Sequence, residues 1–236
     1  MTGLLVSVRS EQEARIALEC GADLIDVKEP SHGSLGAASS QVLRQIATHL
    51  SGRVPISAAL GELADQHRAA LPDDILAHYD YVKLGMAGCA QTPDWLAKWA
   101  AAVESLPQAV APVAVIYADW QAAQAPPPRL IVNHARQLGC AAVLVDTYDK
   151  SRGGLLDHFC PAKLSRLMTM VQENNMLIVL AGSLSLTSLP AVLEFSPDYV
   201  AVRGAACRQS RTGPIDGKRV RHLSRLIAGF VRPVID

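Results

Sequence analysis

The sequence predicts an α/β fold, a (β/α)8 barrel in which eight parallel strands alternate with helices around one core. Short apolar runs rich in β-branched residues alternate from end to end with amphipathic segments of helical length. At about 30 residues per strand-and-helix unit, the 236 residues provide eight such units. Half of the residues are hydrophobic and 19% are charged, which is enough apolar material for a large core. We therefore expect residues 1–236 to form a single domain.

The candidate strands are mostly continuous apolar runs, as expected when helices cover the outside of a parallel sheet and the barrel encloses its inside. They are predicted at 4–8, 24–28, 54–60, 81–85, 113–118, 142–146, 177–182 and 199–203.

The first helix has the clearest boundary signals, because Ser10 and Glu13 form a capping-box pattern and Gly21 can end the helix. The later helical segments are predicted at 41–49, 63–77, 94–105, 129–138, 162–174, 186–195 and 217–230. An open doubly wound sheet is the alternative fold, but the glycine fingerprint of its nucleotide-binding versions does not follow the first strand.

A faint internal repeat supports closure of the barrel. The segment "ARIALECGADLIDVK" (14–28) resembles "ARQLGCAAVLVDTYDK" (135–150), and "YDYVKLG" (79–85) resembles "SPDYVAVRG" (196–204). Both matches are offset by four strand-and-helix units, as in a duplicated half-barrel.

Composition disfavours two large classes of partner. The 22 basic and 22 acidic residues balance and only 5% of residues are aromatic, so we expect no nucleic acid as a partner. No apolar stretch approaches the roughly 20 residues that cross a bilayer, so we expect no membrane span. The first residues lack the features of a secretory signal.

The cysteines favour free thiols in a reducing cytoplasm, because they are odd in number and scattered without metal or redox spacing. They are Cys20, Cys89, Cys140, Cys160 and Cys207. The histidines also lack metal-ligand spacing, so we predict neither a metal site nor a cofactor. The subunit number is left open, with a homo-oligomer among the options.

Charged and polar side chains gather at the carboxyl ends of the predicted strands, where barrel enzymes place their chemistry. In chain order they are Asp26, Lys28, Glu62, Lys83, Asp119, Asp146, Lys150, Ser183 and Arg203. Asp26 and Lys28 fall on one side of the second strand because side chains alternate with a period of two. Asp26, Lys83 and Asp146 come from the second, fourth and sixth strands, so we expect them to converge on the barrel axis.

The choice of lysine at these ends is informative. The chain has six lysines and sixteen arginines, and three of the six are Lys28, Lys83 and Lys150. A guanidinium cannot readily lose a proton, whereas a desolvated lysine can, and its neutral amine attacks a carbonyl to form a Schiff base. The alternative for each lysine is a structural ion pair with a nearby aspartate.

The turns after the seventh and eighth strands, "LAGSLSL" (180–186) and "VRGAAC" (202–207), are small and contain glycine. Such turns often bind a phosphate group through backbone N–H groups in this fold. The candidate phosphate ligands are Gly182, Ser183, Arg203 and Gly204. Plain turn chemistry is the alternative.

These blocks also carry a family resemblance. In order, "GADLIDVKEPSHGSLGA", "YVKLG", "VLVDTYDKSRGGLLD", "LAGSL" and "VAVRGAACRQSRTGPID" resemble the (5-formylfuran-3-yl)methyl phosphate synthase family, also named 4-(hydroxymethyl)-2-furancarboxaldehyde-phosphate synthase. The resemblance extends over nearly the whole chain and is weakest from about 86 to 135.

The resemblance implies a (β/α)8 barrel that makes the furan precursor of methanofuran, or of a related one-carbon cofactor, from two molecules of glyceraldehyde 3-phosphate. It implies that Lys28 forms the Schiff base and that Lys83 is the proton acceptor. It assigns Asp26, Asp146 and Lys150 to the other charged positions of the site. A class-I aldolase or phosphosugar isomerase on the same barrel is the nearest alternative, and a non-catalytic phosphate-binding barrel is a second one.

Overall fold

A computed structural model describes residues 1–65 and 72–230 of the chain. The eight strands form a closed parallel barrel in the order of the sequence, with β1 paired to both β2 and β8. The predicted (β/α)8 fold is therefore confirmed. The described ranges contain no helix with the length and hydrophobicity of a membrane span.

Every predicted strand is present, with ends that differ from the predicted ones by at most two residues. The strands are β1 (Gly3–Val8), β2 (Leu24–Val27), β3 (Ile56–Glu62), β4 (Tyr81–Gly85), β5 (Ala111–Tyr117), β6 (Ala142–Asp146), β7 (Leu177–Leu180) and β8 (Tyr199–Val202).

Helices surround the barrel, and most follow the predicted segments closely. They are α1 (Glu11–Glu19), α2 (Ser40–Leu50), α3 (Asp73–Leu76), α4 (Trp95–Glu104), α5 (Pro128–Gln137), α6 (Leu155–His158), α7 (Pro161–Glu173), α8 (Leu189–Leu193) and α9 (Gly217–Ala228).

Two helix predictions need correction, and one helix was missed. Residues 63–65 of the predicted helix 63–77 are not helical, 66–71 lie outside the described residues, and only α3 is helical. The segment predicted at 186–195 shortens to α8, because a serine and threonine turn with its own side-chain hydrogen bonds occupies 185–188. The short helix α6 was not predicted.

The start of α1 shows how tertiary contacts modify a local motif. The Ser10 hydroxyl accepts the backbone N–H of Glu13, as the capping pattern predicts. The Glu13 carboxylate accepts instead from the backbone N–H of Arg9 (3.0 Å) and from the guanidinium of Arg203 (2.5 Å). Glu13 therefore joins α1 to the end of β8 rather than completing the capping box.

The inside of the barrel changes character along its axis. Towards the amino ends of the strands, mostly apolar side chains such as Leu24, Val113 and Val179 fill it. One layer higher, Ser7 and Ser57 flank Asp26 in the register of β1, β2 and β3. Polar side chains thus replace the apolar core one layer below the carboxyl ends of the strands.

Candidate active site

A cavity of about 570 Å³ opens at the carboxyl ends of the strands, within the usual size range of small-molecule sites. Six cationic side chains and two carboxylates line it, although the whole chain has no net charge. They are Lys28, Lys83, Lys150, Arg203, Arg211, Arg219, Asp26 and Asp146. This excess of positive charge suits an anionic ligand.

Asp26 lies inside the barrel within β2, and three side chains donate hydrogen bonds to its carboxylate. The Lys83 ammonium and the Ser57 hydroxyl donate to Oδ1, and the Ser7 hydroxyl donates to Oδ2 (3.0 Å). Burial raises the pKa of Asp26, but the charges of Lys83 and Lys28 and the hydrogen bonds outweigh it, so the pKa lies below its ordinary value. Asp26 is therefore an anion that joins β2 to β1, β3 and β4.

Lys83 lies in the middle of β4 rather than at its end. Its side chain points into the barrel, where the ammonium contacts the Asp26 carboxylate. Its ammonium also donates to the Ser57 hydroxyl (3.3 Å). The expected convergence of Asp26 and Lys83 is confirmed as a buried ion pair.

Asp146 ends β6 and forms the second ion pair of the cavity, with Lys150 four residues later (2.5 Å). The Lys150 ammonium also donates to the carbonyl (2.5 Å) and the hydroxyl (3.1 Å) of Thr147. Burial raises the pKa of Asp146, but the charges of Lys150 and Lys28 and two hydrogen bonds leave the pKa below its ordinary value. Both carboxylates of the cavity are therefore ionised.

Lys28 follows β2 directly and differs from the other two lysines. Only 8% of the residue is exposed, and its ammonium donates no hydrogen bond within the described chain. Burial lowers the pKa of Lys28 to about 8, against the opposing charges of Asp146 and Asp26. About a tenth of the amine is consequently neutral at pH 7, several hundred times the fraction in an ordinary lysine.

Two further acidic side chains at strand ends have structural partners. Glu62 accepts from the Tyr117 hydroxyl (2.5 Å) and the backbone N–H of Ala87 (2.9 Å), and burial raises its pKa. Asp119 accepts the backbone N–H groups of Tyr148 (2.7 Å) and Asp149 (2.9 Å). Asp119 thereby fixes the loop that carries Lys150.

The loop after β2 lies across the cavity rim. The buried Ser34 hydroxyl donates to the carbonyls of Thr147 (2.8 Å) and Tyr148 (3.1 Å), so it joins the β2 loop to the β6 loop. Gly36 packs so closely on the Glu29 carbonyl that a side chain there would collide with it. These contacts hold the backbone on both sides of the cavity that contains Lys28.

The turns after β7 and β8 both reach the cavity, although Gly182, one of the predicted phosphate ligands, is not among the residues that line it. Ser183 and Gly204 line the cavity, and Gly182 adopts the left-handed conformation (φ +98°) that lets its carbonyl accept from the backbone N–H of Leu155 (3.0 Å). Within the described chain, the backbone N–H groups of Ser183 and Gly204 donate to no protein acceptor. They are available to a phosphate group, and that role stays a prediction.

The guanidinium of Arg203 is used inside the protein. Its N–H groups reach the Glu13 carboxylate and three backbone carbonyls, of Ser7 (3.1 Å), Arg211 (2.8 Å) and Gly213 (2.9 Å). These acceptors occupy all five N–H donors of the side chain. The geometry therefore gives Arg203 a structural role in place of the predicted phosphate contact.

Several side chains of the site carry no signal in the sequence. Ser7, Ser57 and Tyr117 lie inside apolar strands, and Arg211 lies in a loop of ordinary polar composition. Inward alternation from Asp26 and Lys83 along neighbouring strands is the one pattern that points to the two serines. In the described ranges, no three His, Cys, Asp or Glu side chains come together as they would around a metal ion.

The arrangement suits chemistry on a carbonyl compound that carries phosphate. It combines one amine with a lowered pKa, two lysine–aspartate pairs that can move protons and two turns with free backbone N–H groups.

Solved structures with this fold include phosphosugar enzymes. The phosphoribosyl anthranilate isomerase of Thermotoga maritima aligns with 98% of this chain and 100% of its own, with a TM-score of 0.64 and 17% identity. At that identity the likeness shows the barrel fold alone.

Sequence relatives are more specific. The (5-formylfuran-3-yl)methyl phosphate synthase of Methanosarcina acetivorans is 33% identical over 227 residues, which cover 93% of this chain and 97% of that protein. The enzyme of the same name from Methanosarcina barkeri is 31% identical over 226 residues, with the same coverage. The 4-HFC-P synthase family matches residues 4–224. The chain therefore belongs to the 4-HFC-P synthase family and is an enzyme with a biosynthetic synthase role.

Proposed function

We propose that this enzyme condenses two molecules of glyceraldehyde 3-phosphate into (5-formylfuran-3-yl)methyl phosphate through a Schiff base on Lys28. The relatives' names support the product, and the chemistry of the cavity supports the route. The observation that carries the assignment is the contrast among three lysines. Lys83 and Lys150 each donate to a carboxylate, whereas Lys28 donates no hydrogen bond within the described chain and has a pKa of about 8.

The overall reaction releases one phosphate and two waters, and the atoms then balance. In the first step the neutral amine of Lys28 attacks the aldehyde carbon of one triose phosphate, and one water leaves as the iminium forms. The iminium acidifies the neighbouring C–H. Loss of that proton gives an enamine, whose electron pair expels the phosphate from the third carbon and leaves an enol.

In this route the Asp26–Lys83 pair accepts the proton. When the ammonium of Lys83 passes its hydrogen-bonded proton to Asp26, it becomes a neutral amine on a buried side chain. That amine takes the proton from the substrate carbon, and the carboxyl group of Asp26 holds the other proton until turnover ends.

The branched skeleton of the product fixes the next bond. The third carbon of the enol attacks the ketone carbon of the second triose phosphate, which has isomerised from aldehyde to ketone. Lys150 donates a proton to the new alkoxide, and Asp146 stabilises the charge of Lys150.

Ring closure then completes the furan. The terminal hydroxyl of the second triose adds to the ketone that the enol has become, and two waters are eliminated. One water hydrolyses the iminium, which frees Lys28 and the product aldehyde. Three waters leave and one is consumed, so the net loss is two waters and one phosphate.

Product analysis tests the overall reaction. Purified enzyme incubated with glyceraldehyde 3-phosphate should form an ultraviolet-absorbing furaldehyde and release one inorganic phosphate for every two trioses consumed. A sugar product without furan absorbance or phosphate release would instead identify an aldolase or isomerase.

Borohydride trapping tests the nucleophile. Reduction in the presence of substrate should attach a carbon adduct to Lys28, and Lys28→Arg should abolish both the adduct and turnover while the fold stays intact. Lys98→Arg is the matched control, since Lys98 forms an exposed ion pair with Asp94 on α4 (3.1 Å). An adduct on another lysine, or full activity in Lys28→Arg, would refute the assignment.

A further inference from the structure

The proposed reaction uses two phosphorylated trioses, so two phosphate groups enter the cavity in each turnover. The turns after β7 and β8 offer free backbone N–H groups at Ser183 and Gly204 for one phosphate. The loop between β8 and α9 offers a separate cationic group, the side chain of Arg211.

Backbone hydrogen bonds close the base of this loop, and the side chain of Arg203 donates to its backbone. Cys207 and Ile215 form an antiparallel bridge, and the backbone N–H of Asp216 donates to the Ala206 carbonyl (2.9 Å). The buried guanidinium of Arg203 then donates to the carbonyl of Arg211 itself (2.8 Å). The backbone that carries Arg211 is therefore fixed before any ligand binds.

The side chain of Arg211 reaches across the cavity towards the β2 side. Its Nη2 donates to the Gly33 carbonyl (3.0 Å), in the loop that follows Lys28. This is its one hydrogen bond within the described chain, although a guanidinium has five N–H donors. The half-buried guanidinium of Arg211 also interacts electrostatically with the carboxylate of Asp146. Several N–H donors thus remain available in the cavity that contains Lys28.

Arg208 on the same loop shows what a surface arginine does there. Its side chain is 68% exposed and pairs with Asp216 at the start of α9 (3.2 Å). Arg208 does not line the cavity, whereas Arg211 does. Two arginines three residues apart therefore have opposite environments, and a general need for surface charge does not explain Arg211.

We propose that Arg211 forms a second phosphate subsite, on the β2 side of the cavity and separate from the turns after β7 and β8. This inference rests on the proposed function, because only a reaction between two phosphorylated substrates needs both subsites. A guanidinium presents two parallel N–H donors to a phosphate, and Arg211 has the free donors to do so. Arg203 is then a positioning residue that fixes the Arg211 backbone.

Calorimetric titration with glycerol 3-phosphate tests the proposal without requiring catalysis, because this compound has no carbonyl group and cannot form a Schiff base. The wild-type enzyme should bind two molecules per chain, and unphosphorylated glycerol should not bind. Arg211→Met should bind one molecule, with the second weakened by about tenfold to a hundredfold. Arg208→Met is the matched control and should bind two.

Two other results would overturn the proposal. One is an Arg211→Met enzyme that binds two molecules with wild-type affinity. The other is a wild-type enzyme that binds a single molecule which Arg211→Met abolishes, since Arg211 would then belong to the only phosphate site. Arg211→Gln serves as a second variant if the methionine variant does not fold.

Kinetics separates this inference from the proposed function. If both hold, Arg211→Met should raise the KM for glyceraldehyde 3-phosphate at least tenfold while borohydride still attaches the adduct to Lys28. Wild-type titration with two sites but no furan product would refute the proposed function alone. Furan formation at a wild-type rate in Arg211→Met would refute the second subsite alone.

Discussion

The two lysine–aspartate pairs of the cavity have the same chemistry and different settings. Asp26 on β2 and Lys83 on β4 meet inside the barrel across β3, and their side chains are only 2% and 5% exposed. Asp146 and Lys150 are four residues apart in sequence, and the Lys150 side chain is 19% exposed. One pair joins strands inside the barrel, and the other belongs to a strand end and its loop.

The two settings predict how much each ion pair contributes to the stability of the fold. A buried ion whose partner is removed cannot regain water without opening the barrel, whereas Lys150 lies in a loop and can turn towards solvent. Lys28 lies between the two pairs without a hydrogen-bond partner in the described chain. The same cavity therefore contains a buried pair, a partly exposed pair and an amine without a hydrogen-bond partner in the described chain.

The largest expected effect comes from breaking the buried pair. Asp26→Asn should lower the free energy of unfolding by about 3–5 kcal/mol, because it leaves the ammonium of Lys83 buried without its counter-ion. Denaturant unfolding followed by circular dichroism measures the change. Asp94→Asn removes the carboxylate of the exposed Lys98–Asp94 pair and should cost less than about 0.5 kcal/mol. Equal losses in the two variants would contradict this assignment of Asp26.

Removing the unpaired amine should act in the opposite direction. Because burial lowers the pKa of Lys28 from 10.5 to about 8, its charged form destabilises the folded state at neutral pH. Lys28→Met should therefore raise the free energy of unfolding by up to about 3 kcal/mol at pH 7 while abolishing turnover.

The sign of this gain depends on pH in a defined way. The wild-type penalty is fully present below pH 8, shrinks as pH rises from about 8 to 10.5 and vanishes above that range. Thermal unfolding of both proteins at pH 7 and pH 10 measures the difference. A lower stability of Lys28→Met at pH 7 would show that Lys28 contributes a structural contact.

Breaking the loop pair should have a smaller effect on stability. Asp146→Asn should cost about 1–2 kcal/mol, because the partly exposed Lys150 can turn to water. Turnover should nevertheless fall by a hundredfold or more, since Asp146 pairs with Lys150, the proposed proton donor. Unfolding and kinetic measurements on one preparation test both parts. A loss as large as that of Asp26→Asn would remove the distinction between the pairs.

The smallest expected effect is a shift in a pH profile. The rate of borohydride-trapped adduct formation on Lys28 should rise about tenfold per pH unit below pH 8 and then level off. The charge of Asp146 raises the pKa of Lys28, so Asp146→Asn should move the midpoint to lower pH. An upward shift or no shift would mean that Asp146 does not act on Lys28.

Local sequence patterns located the elements of the site well. Asp26, Lys83 and Asp146 were expected to converge in one interior layer. The structure brings Asp26 and Lys83 into contact, whereas Asp146 at the end of β6 pairs with Lys150 instead. The alternation of strand side chains and the fixed position of strand ends in a barrel make such residues predictable. The missed serines, Ser7 and Ser57, lie in apolar strands, where a hydroxyl gives no signal until its partner is known.

The roles of two arginines could not be predicted from the positions of the strand ends. Arg203 follows a strand end and was expected to bind phosphate. Its guanidinium instead forms an ion pair with Glu13 on α1, which is 190 residues away in sequence. Arg211 lies in a loop and drew no prediction, yet its side chain reaches the cavity. The position of a strand end locates a side chain along the barrel, but it does not identify the partner of that side chain.

Local sequence patterns were enough to predict the barrel, the order of its strands and the inward position of Asp26 and Lys83, because these follow from hydrophobic periodicity and strand geometry. The tertiary contacts were needed to learn which lysine has no hydrogen-bond partner in the described chain and which arginine side chain keeps unused N–H donors there. Hydrogen bonding and desolvation depend on distances between segments far apart in the chain, and no local pattern encodes those distances.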